Sequence, residues 1–492
     1  MRNQSSVNPP TDFSHKWYVM AAVGMGIFLG TVDGSIVNVA LPTLVRAFNT
    51  DFPTVQWVVL AYLATITTLM LSVGRLADMS GKKRIYNSGF IIFTIGSALC
   101  GLAPNIYALI GFRVLQGIGA AMIMALGMAI VTEAFPNRER GKALGILGAI
   151  VSIGIVAGPT LGGLIISSSS WRWIFFVNLP IGIVGSIMVY RFVPEIKPGG
   201  KQRFDILGAA AMFVCMLSFL FALTIGQQIG FTQLLVLALL ANFLVFLILF
   251  INIELRVEQP MVDLRLFKNS QFSGSLISGF LVFIALSGTI LLMPFFLENV
   301  LGYAPNQVGL LLAIVPISLG VVAPLAGSLS DRVGSRPITV AGLAILLVGF
   351  IAVSTLTAET NAIGYILRFL PVGIGVGIFQ SPNNSSVMGA APRERLGIAS
   401  GMLAITRTLG QITGIALLGA IWSGLAMSRM GTAYEGDATS APALIQVAAL
   451  KGTFLFAVAI VMLALGIGIW ALIRSRQESQ IGLLPKAIDM DE

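Results

Sequence analysis

Apolar runs of about twenty residues recur along the chain from Trp17 to Ile473, separated by short polar or basic connections. Each run, at about 1.5 Å per residue, is long enough to cross a hydrocarbon core of roughly 30 Å as an α-helix. The pattern predicts fourteen spans, at 17–45, 55–74, 85–103, 106–133, 141–166, 174–193, 206–226, 233–254, 271–297, 306–329, 338–357, 361–387, 397–424 and 449–473. Composition agrees, with 56% of the 492 residues apolar and only 10% charged, against about a quarter charged in a soluble domain. The first run is too long for the apolar part of a signal sequence and has no small-residue cleavage pattern behind it. An all-α polytopic membrane protein is expected.

An even number of spans puts both termini on one side. The tail, the alternate connections and the carboxyl end on that side hold 23 of the 30 Lys and Arg residues. The other side holds Arg46, Arg172, Arg429 and Lys451, and Arg113, Arg368 and Arg407 fall inside spans. The positive-inside rule then puts both termini in the cytoplasm, with the chain integral to a plasma (bacterial inner) membrane. The same bias accounts for the net charge of +9, so no nucleic-acid partner is expected. His15 is the only histidine and precedes the first span, and Cys100 and Cys215 both lie in apolar runs. No disulfide framework, metal site or cofactor is therefore expected, and a membrane-embedded enzyme would lack its nucleophile–base pair. The chain has no GxxxxGK[ST] phosphate loop, and Gly373–Gly377 lies within a span instead of between a strand and a helix. ATP-driven pumping is excluded on the same ground.

The chain also repeats itself. Gly74-Arg-Leu-Ala-Asp78-Met-Ser-Gly81-Lys-Lys-Arg84 follows the second span, and Gly327-Ser-Leu-Ser-Asp331-Arg332-Val-Gly334-Ser-Arg336 follows the tenth, 253 residues later. Arg113-Val-Leu-Gln-Gly117-Ile-Gly119 is matched by Arg368 to Gly375, 255 residues on, and Pro136 to Gly141 by Pro392 to Gly397, 256 residues on at the proline. Three matches in one order, shifted by eight spans, describe a six-span repeat with 206–226 and 233–254 inserted between its copies. The expected division is 1–193, an amino-terminal six-helix bundle; 194–270, the inserted pair with its linkers; and 271–492, a carboxyl-terminal bundle with its tail. Internal repeats of this kind are common in secondary transporters.

Four segments carry a family resemblance. The Gly74–Arg84 segment resembles the loop motif between the second and third helices of the major facilitator superfamily, with Met79 where that motif usually has a basic residue. Gly154-Ile-Val-Ala-Gly158-Pro159-Thr-Leu-Gly162-Gly163 is similar to the fifth-helix motif of its antiporters. Val32-Asp33-Gly-Ser-Ile-Val-Asn38-Val-Ala-Leu-Pro42 and Trp171-Arg-Trp-Ile-Phe-Phe-Val-Asn178-Leu-Pro180-Ile-Gly182 resemble signatures of its fourteen-span drug:proton antiporters. The resemblance implies two pseudo-twofold-related bundles, arranged 6+2+6, that rock about a central cavity while proton uptake drives multidrug efflux. The expected partners are a small amphiphilic substrate, protons and the lipid bilayer, with the monomer as the working unit. An exporter dedicated to one endogenous metabolite (a siderophore, lipid or amino-acid-like compound) is the alternative.

Asp33 lies about midway through the first span, where a carboxylate costs roughly 2.5–3.5 kcal/mol and must face a cavity, meet a partner or carry a proton. Arg113, in the family's fourth-helix motif, is its expected partner in proton coupling; a structural ion pair would use the same two residues. Asp33 aligns near Ser287 in the second copy, so coupling is expected in the amino-terminal half alone. Asn38, Gln116, Arg407 and Gln411 are expected to line the substrate cavity. Gly74, Asp78, Gly81, Arg84, Asp331 and Arg332 are expected to form a conformational latch, the alternative being a basic loop that only fixes orientation. Gly154, Gly158, Pro159, Gly162 and Gly163 describe a small-faced helix with a kink. In the repeat Gly154 and Gly158 become Gly410 and Gly414, but Pro159 becomes Ile415. The inserted pair is expected to lie outside the transport path, held by Thr224, Gln227 or Asn242.

Overall fold

The computed structural model describes residues 15–136, 139–195, 205–257, 264–392, 396–430 and 436–480, and among them there is no strand. Fourteen helices are long and apolar enough to cross a membrane. They are α1 (Lys16–Phe48), α2 (Phe52–Ser80), α3 (Lys82–Leu102), α4 (Ile106–Ala134), α5 (Arg140–Ser168), α6 (Trp173–Phe192) and α7 (Ile206–Ile229). After these come α8 (Leu234–Arg256), α9 (Ser270–Val300), α10 (Pro305–Val333), α11 (Ser335–Val353), α12 (Ala362–Ala390), α13 (Leu396–Met430) and α14 (Ala443–Gln480). A helix is the form such runs must take, because lipid offers no partner for a free N–H or C=O.

At the helix ends side chains supply what the ladder lacks. Asp51, Asn105 and Asn361 accept backbone N–H groups at the starts of α2, α4 and α12, and Asp205 and Asn269 do so for α7 and α9. The α2–α3 and α10–α11 turns are each a single glycine, Gly81 with φ +96° and Gly334 with φ +94°. Only glycine adopts that conformation cheaply, which is why these repeat mates stand where they do. The segment expected as a loop from Gly74 is in fact helical through Ser80, and the turn is confined to Gly81. Three irregularities went unseen in the apolar pattern. The α6 span is interrupted at Val177, α10 is interrupted at Ala313, and α9 ends in a π-helical turn, Phe296–Val300, just past Pro294.

Helix neighbours reproduce the sequence repeat. In the first bundle α1 packs on α4, α5 and α6, α3 packs on α4 and α6, and α2 packs on α4. Eight helices later α9 packs on α12, α13 and α14, α11 on α12 and α14, and α10 on α12. The arrangement is 6+2+6. Of the inserted pair, α7 packs on both α2 and α13, with Trp57 of α2 5.0 Å from Phe221. The α8 helix packs on α7, where Asn242 Nδ2 donates to Ser218 Oγ at 2.7 Å, and buries only Val236 and Glu254.

The end where α1 begins and α2 finishes is termed basal here, the opposite end distal. At the distal end the bundles are sealed together. Phe52 packs on Phe295 and Trp422 at ring distances of 5.1 and 4.8 Å, and its N–H donates to Asp437 Oδ2 at 2.9 Å. Arg46 of α1 pairs with Glu298 of α9 at 2.6 Å. Basal polar contacts among the described residues include Lys16–Glu139, Lys82–Glu133, Arg336–Gln271 and Ser386–Ser335, each inside one bundle.

Candidate functional site

The first bundle encloses a polar cluster built by five helices. α1 carries Asp33 and α4 carries Arg113, whose Nη1 donates to Asp33 Oδ2 at 2.6 Å. Gln116 lies three residues further along the same face of α4. Its Nε2 donates to Asp33 Oδ1 at 2.8 Å, and its Oε1 accepts from Arg113 Nη1 at 2.7 Å. Asn178, just past the interruption in α6, donates to Asp33 Oδ1 at 3.1 Å and lies 3.1 Å from Ser97 Oγ of α3. Ser97 in turn donates to the Phe175 carbonyl at 2.8 Å. Arg113 Nε donates to the Val58 carbonyl of α2 at 2.9 Å, and the guanidinium lies 3.9 Å over the Tyr62 ring. Asp33, Ser97, Arg113 and Gln116 are completely buried, and Asn178 is 1% exposed.

The arrangement is neutral as a unit and unstable in pieces. Three donors converge on one carboxylate, so both of its oxygens are satisfied without water. Breaking such a buried pair by removing one partner costs about 3–5 kcal/mol, because the other charge stays behind without compensation. A proton on Asp33 has the same local effect as removing its charge. Arg113 would then keep the Val58 carbonyl, Gln116 and the aromatic rings as its neighbours.

Other sequence-derived candidates fall elsewhere. Gln116, expected in the cavity, is fully buried beside Asp33. Asn38 is half-buried and donates to the Gly34 carbonyl one turn back at 3.3 Å. Arg407 and Gln411 are half-buried one turn apart on α13, with the Arg407 guanidinium 5.2 Å from the Phe283 ring of α9. Among the latch candidates, the side chain of Asp78 lies outside the described residues. Gly74 is half-buried with open space beside it, Arg84 pairs with Glu195 at 2.7 Å within the first bundle, and Asp331 and Arg332 are exposed. Among the described side chains, Arg84, Asp331 and Arg332 form no ion pair across the bundles in this conformation.

The antiporter-like motif divides between two neighbours. Gly154, Gly158 and Gly162, spaced by four, face α1, where an added methyl would strike Thr31, Ser35 or Ile36. Pro159 and Gly163 face α10 instead: a methyl on Gly163 would strike the Pro305 carbonyl, and one on Gly309 the Pro159 carbonyl. α5 continues unbroken through Pro159. In the second copy Gly410 and Gly414 pack on Phe280 and Ile284 of α9, and Gly419 packs on Gln56 of α2.

Asn178 and Ser97 were missed as site residues. Each is a small polar group within an apolar span, which is the available signal, but nothing in the chain order says that α3 and α6 turn those faces toward Asp33.

A polytopic chain folded as two repeated six-helix bundles, sealed at one end and carrying a buried carboxylate–guanidinium pair, defines a membrane transporter of the two-bundle kind. The chain belongs to the Major Facilitator Superfamily, whose profile matches residues 23–415 and, in a second match, 275–487. It is 36% identical to the riboflavin transporter RibZ of Clostridioides difficile over 409 residues, 83% of this chain and 88% of that protein. It is 37% identical to the multidrug resistance protein Stp of Mycobacterium tuberculosis over 404 residues, 82% of this chain and 75% of that protein. Its fold resembles the crystal structure of a bacterial homologue of the human lysosomal transporter Spinster, with a TM-score of 0.67 at 18% identity, covering 93% of this chain and 97% of that one. Family and relatives are transporters, not enzymes.

Proposed function

We propose that the protein is a proton-coupled antiporter that exports hydrophobic or amphiphilic compounds by alternating access, working as a monomer in the bacterial inner membrane. The basal end, with both termini, faces the cytoplasm. Residues 1–193 and 271–492 rock as two bodies, joined by the inserted pair in 194–270. The observation that carries this reading is the complete burial of Asp33 between Arg113, Gln116 and Asn178. A carboxylate whose three partners come from two other helices changes its proton affinity when those helices move. In the conformation sealed at the distal end, ionised Asp33 holds α1, α4 and α6 together. A proton arriving from the distal side, once that side opens, frees Arg113 and lets the helices shift, and its release to the basal side restores the pair. The Gly81 and Gly334 turns sit where a basal latch between the bundles would close in the opposite state.

The name of the Mycobacterium relative supports a multidrug range. That of the Clostridioides relative favours the second reading, export or passage of one defined metabolite. The test of coupling is Asp33→Asn in proteoliposomes with an imposed pH gradient. Gradient-driven export should fall by roughly 100-fold while folded protein is still recovered, since the amide keeps the shape of the site. Native transport with undiminished proton movement would remove Asp33 from the mechanism.

A further inference from the structure

We infer that the cavity between the bundles recognises amphiphiles bearing an anionic group, with Arg407 as the recognising cation; the inference rests on the export reading above and names its substrate class. Arg407 lies eleven residues beyond Leu396, the first residue of α13, which sets it roughly 16 Å along the helix axis. Its side chain is half-buried. A guanidinium at that depth is too costly to face lipid, so its accessible part is assigned to the inside of the molecule, with the basal end, away from the distal seal, as the way in. Its neighbour is the Phe283 ring at 5.2 Å, and among the described residues no carboxylate lies within ion-pair distance of it. A guanidinium so placed calls for a counter-charge, and the described residues do not provide one.

The distribution of acids makes the same point independently. The acidic residues of α9 to α14 lie at helix ends, namely Glu298, Asp331 and Glu478. In the first bundle the only mid-depth carboxylate, Asp33, is enclosed by its own donors with no exposure. A cationic ligand between the bundles therefore meets a positive group and no free negative one. An anionic ligand meets a five-donor fork suited to carboxylate, sulfonate or phosphate, the flat face of Phe283, and Gln411 one turn further along α13.

Packing does not require the charge. Shifted by 256 residues, Arg407 corresponds to Val151, and Gly154 and Gly158 after Val151 pack on α1 as Gly410 and Gly414 pack on α9. The same glycine-faced contact is thus built in one half with valine and in the other with arginine.

The test uses three compounds on one ring system: naphthalene-2-sulfonate, 2-naphthyltrimethylammonium and 2-naphthol. Equilibrium binding to the full-length protein in lipid nanodiscs is measured against empty nanodiscs. The sulfonate should bind at least about 10-fold more tightly than the ammonium compound. Arg407→Gln should weaken the sulfonate by about 10-fold or more while 2-naphthol stays within about 2-fold. Gln411→Glu, which sets a carboxylate one turn from an intact Arg407, should reduce the sulfonate preference by a similar factor, so a loss caused by misfolding of the first variant is told apart. Equal or tighter binding of the ammonium compound, absence of saturable sulfonate binding, or sulfonate affinity unmoved by both variants would overturn the inference. Binding at equilibrium needs no gradient. Failure of coupling in the Asp33→Asn test therefore leaves this result standing, and the reverse also holds.

Discussion

Arg113 and Arg368 occupy matching places in the repeat, seven residues beyond the start of α4 and six beyond the start of α12, yet they serve different surroundings. Arg113 turns into its bundle and is consumed by Asp33, Gln116 and the Val58 carbonyl. Arg368 turns to the distal connection, where it donates to Thr355 Oγ1 and the Gly364 carbonyl, each at 2.9 Å. The repeat differs at a second position as well: α9 carries buried Ser287 where α1 carries Asp33, and among the described residues no mid-helix carboxylate is available to an arginine inside the second bundle. The converse holds lower in the helices, where Arg407 replaces Val151. Duplication has preserved the backbone arrangement and its glycine contacts, while charge has been placed once in each half, at different depths. The function and substrate class proposed above assign the paired charge of one bundle to a proton and the unpaired one of the other to a solute.

The strongest way to break this comparison is to move the carboxylate. Ser287→Asp should destabilise the protein by about 3 kcal/mol or more, read by thermal unfolding, because the mate arginine points elsewhere. Combined with Asp33→Asn it should restore none of the gradient-driven transport. Recovery of coupling in the double variant would mean that the halves are interchangeable after all. A smaller effect is expected at the distal seal. Gly309→Ala drives a methyl into the Pro159 carbonyl, a backbone atom that cannot yield, and Gly419→Ala meets the Gln56 side chain, which can. The first should slow transport by roughly 10-fold and raise thiol labelling of distal cysteines, the second by roughly 2-fold. Equal effects would deny the two seams their difference. The smallest is Asn242→Leu on α8, which removes the bond to Ser218. It should cost about 1 kcal/mol or less and leave transport rates unchanged, since interhelical hydrogen bonds in lipid are individually weak. A transport defect would put the inserted pair inside the pathway.

Much of the architecture was legible in the chain because its signals are local. Span length, the Gly-x-x-x-Asp-x-x-Gly spacing and the shift of eight spans are read without knowing any contact. Asp33 and Arg113 stood out because charge is conspicuous in an apolar run. What could not be read is which way each helix is rotated. Spans such as α4 and α5 carry too few polar side chains to mark one inward face, and Gln116, expected in the cavity, belongs to the Asp33 cluster. Asn178 depends on the break at Val177, and such breaks arise from packing that no single window contains. The glycines were recognised as small, but that Gly158 and Pro159 face different bundles follows only from the 100° between successive residues once the neighbours are known.

The position of α7 against both α2 and α13 gives the molecule a stiff flank and a soft one. On the α2–α13 side, any parting of the bundles shears a third helix off one of its two supports. On the α5–α10 side, the bundles touch through Pro159, Gly163, Pro305 and Gly309, backbone against backbone, with no inserted helix packed over them. In the alternating access proposed above, the flank carrying α7 is the hung edge, so the motion resembles a door more than a pair of jaws.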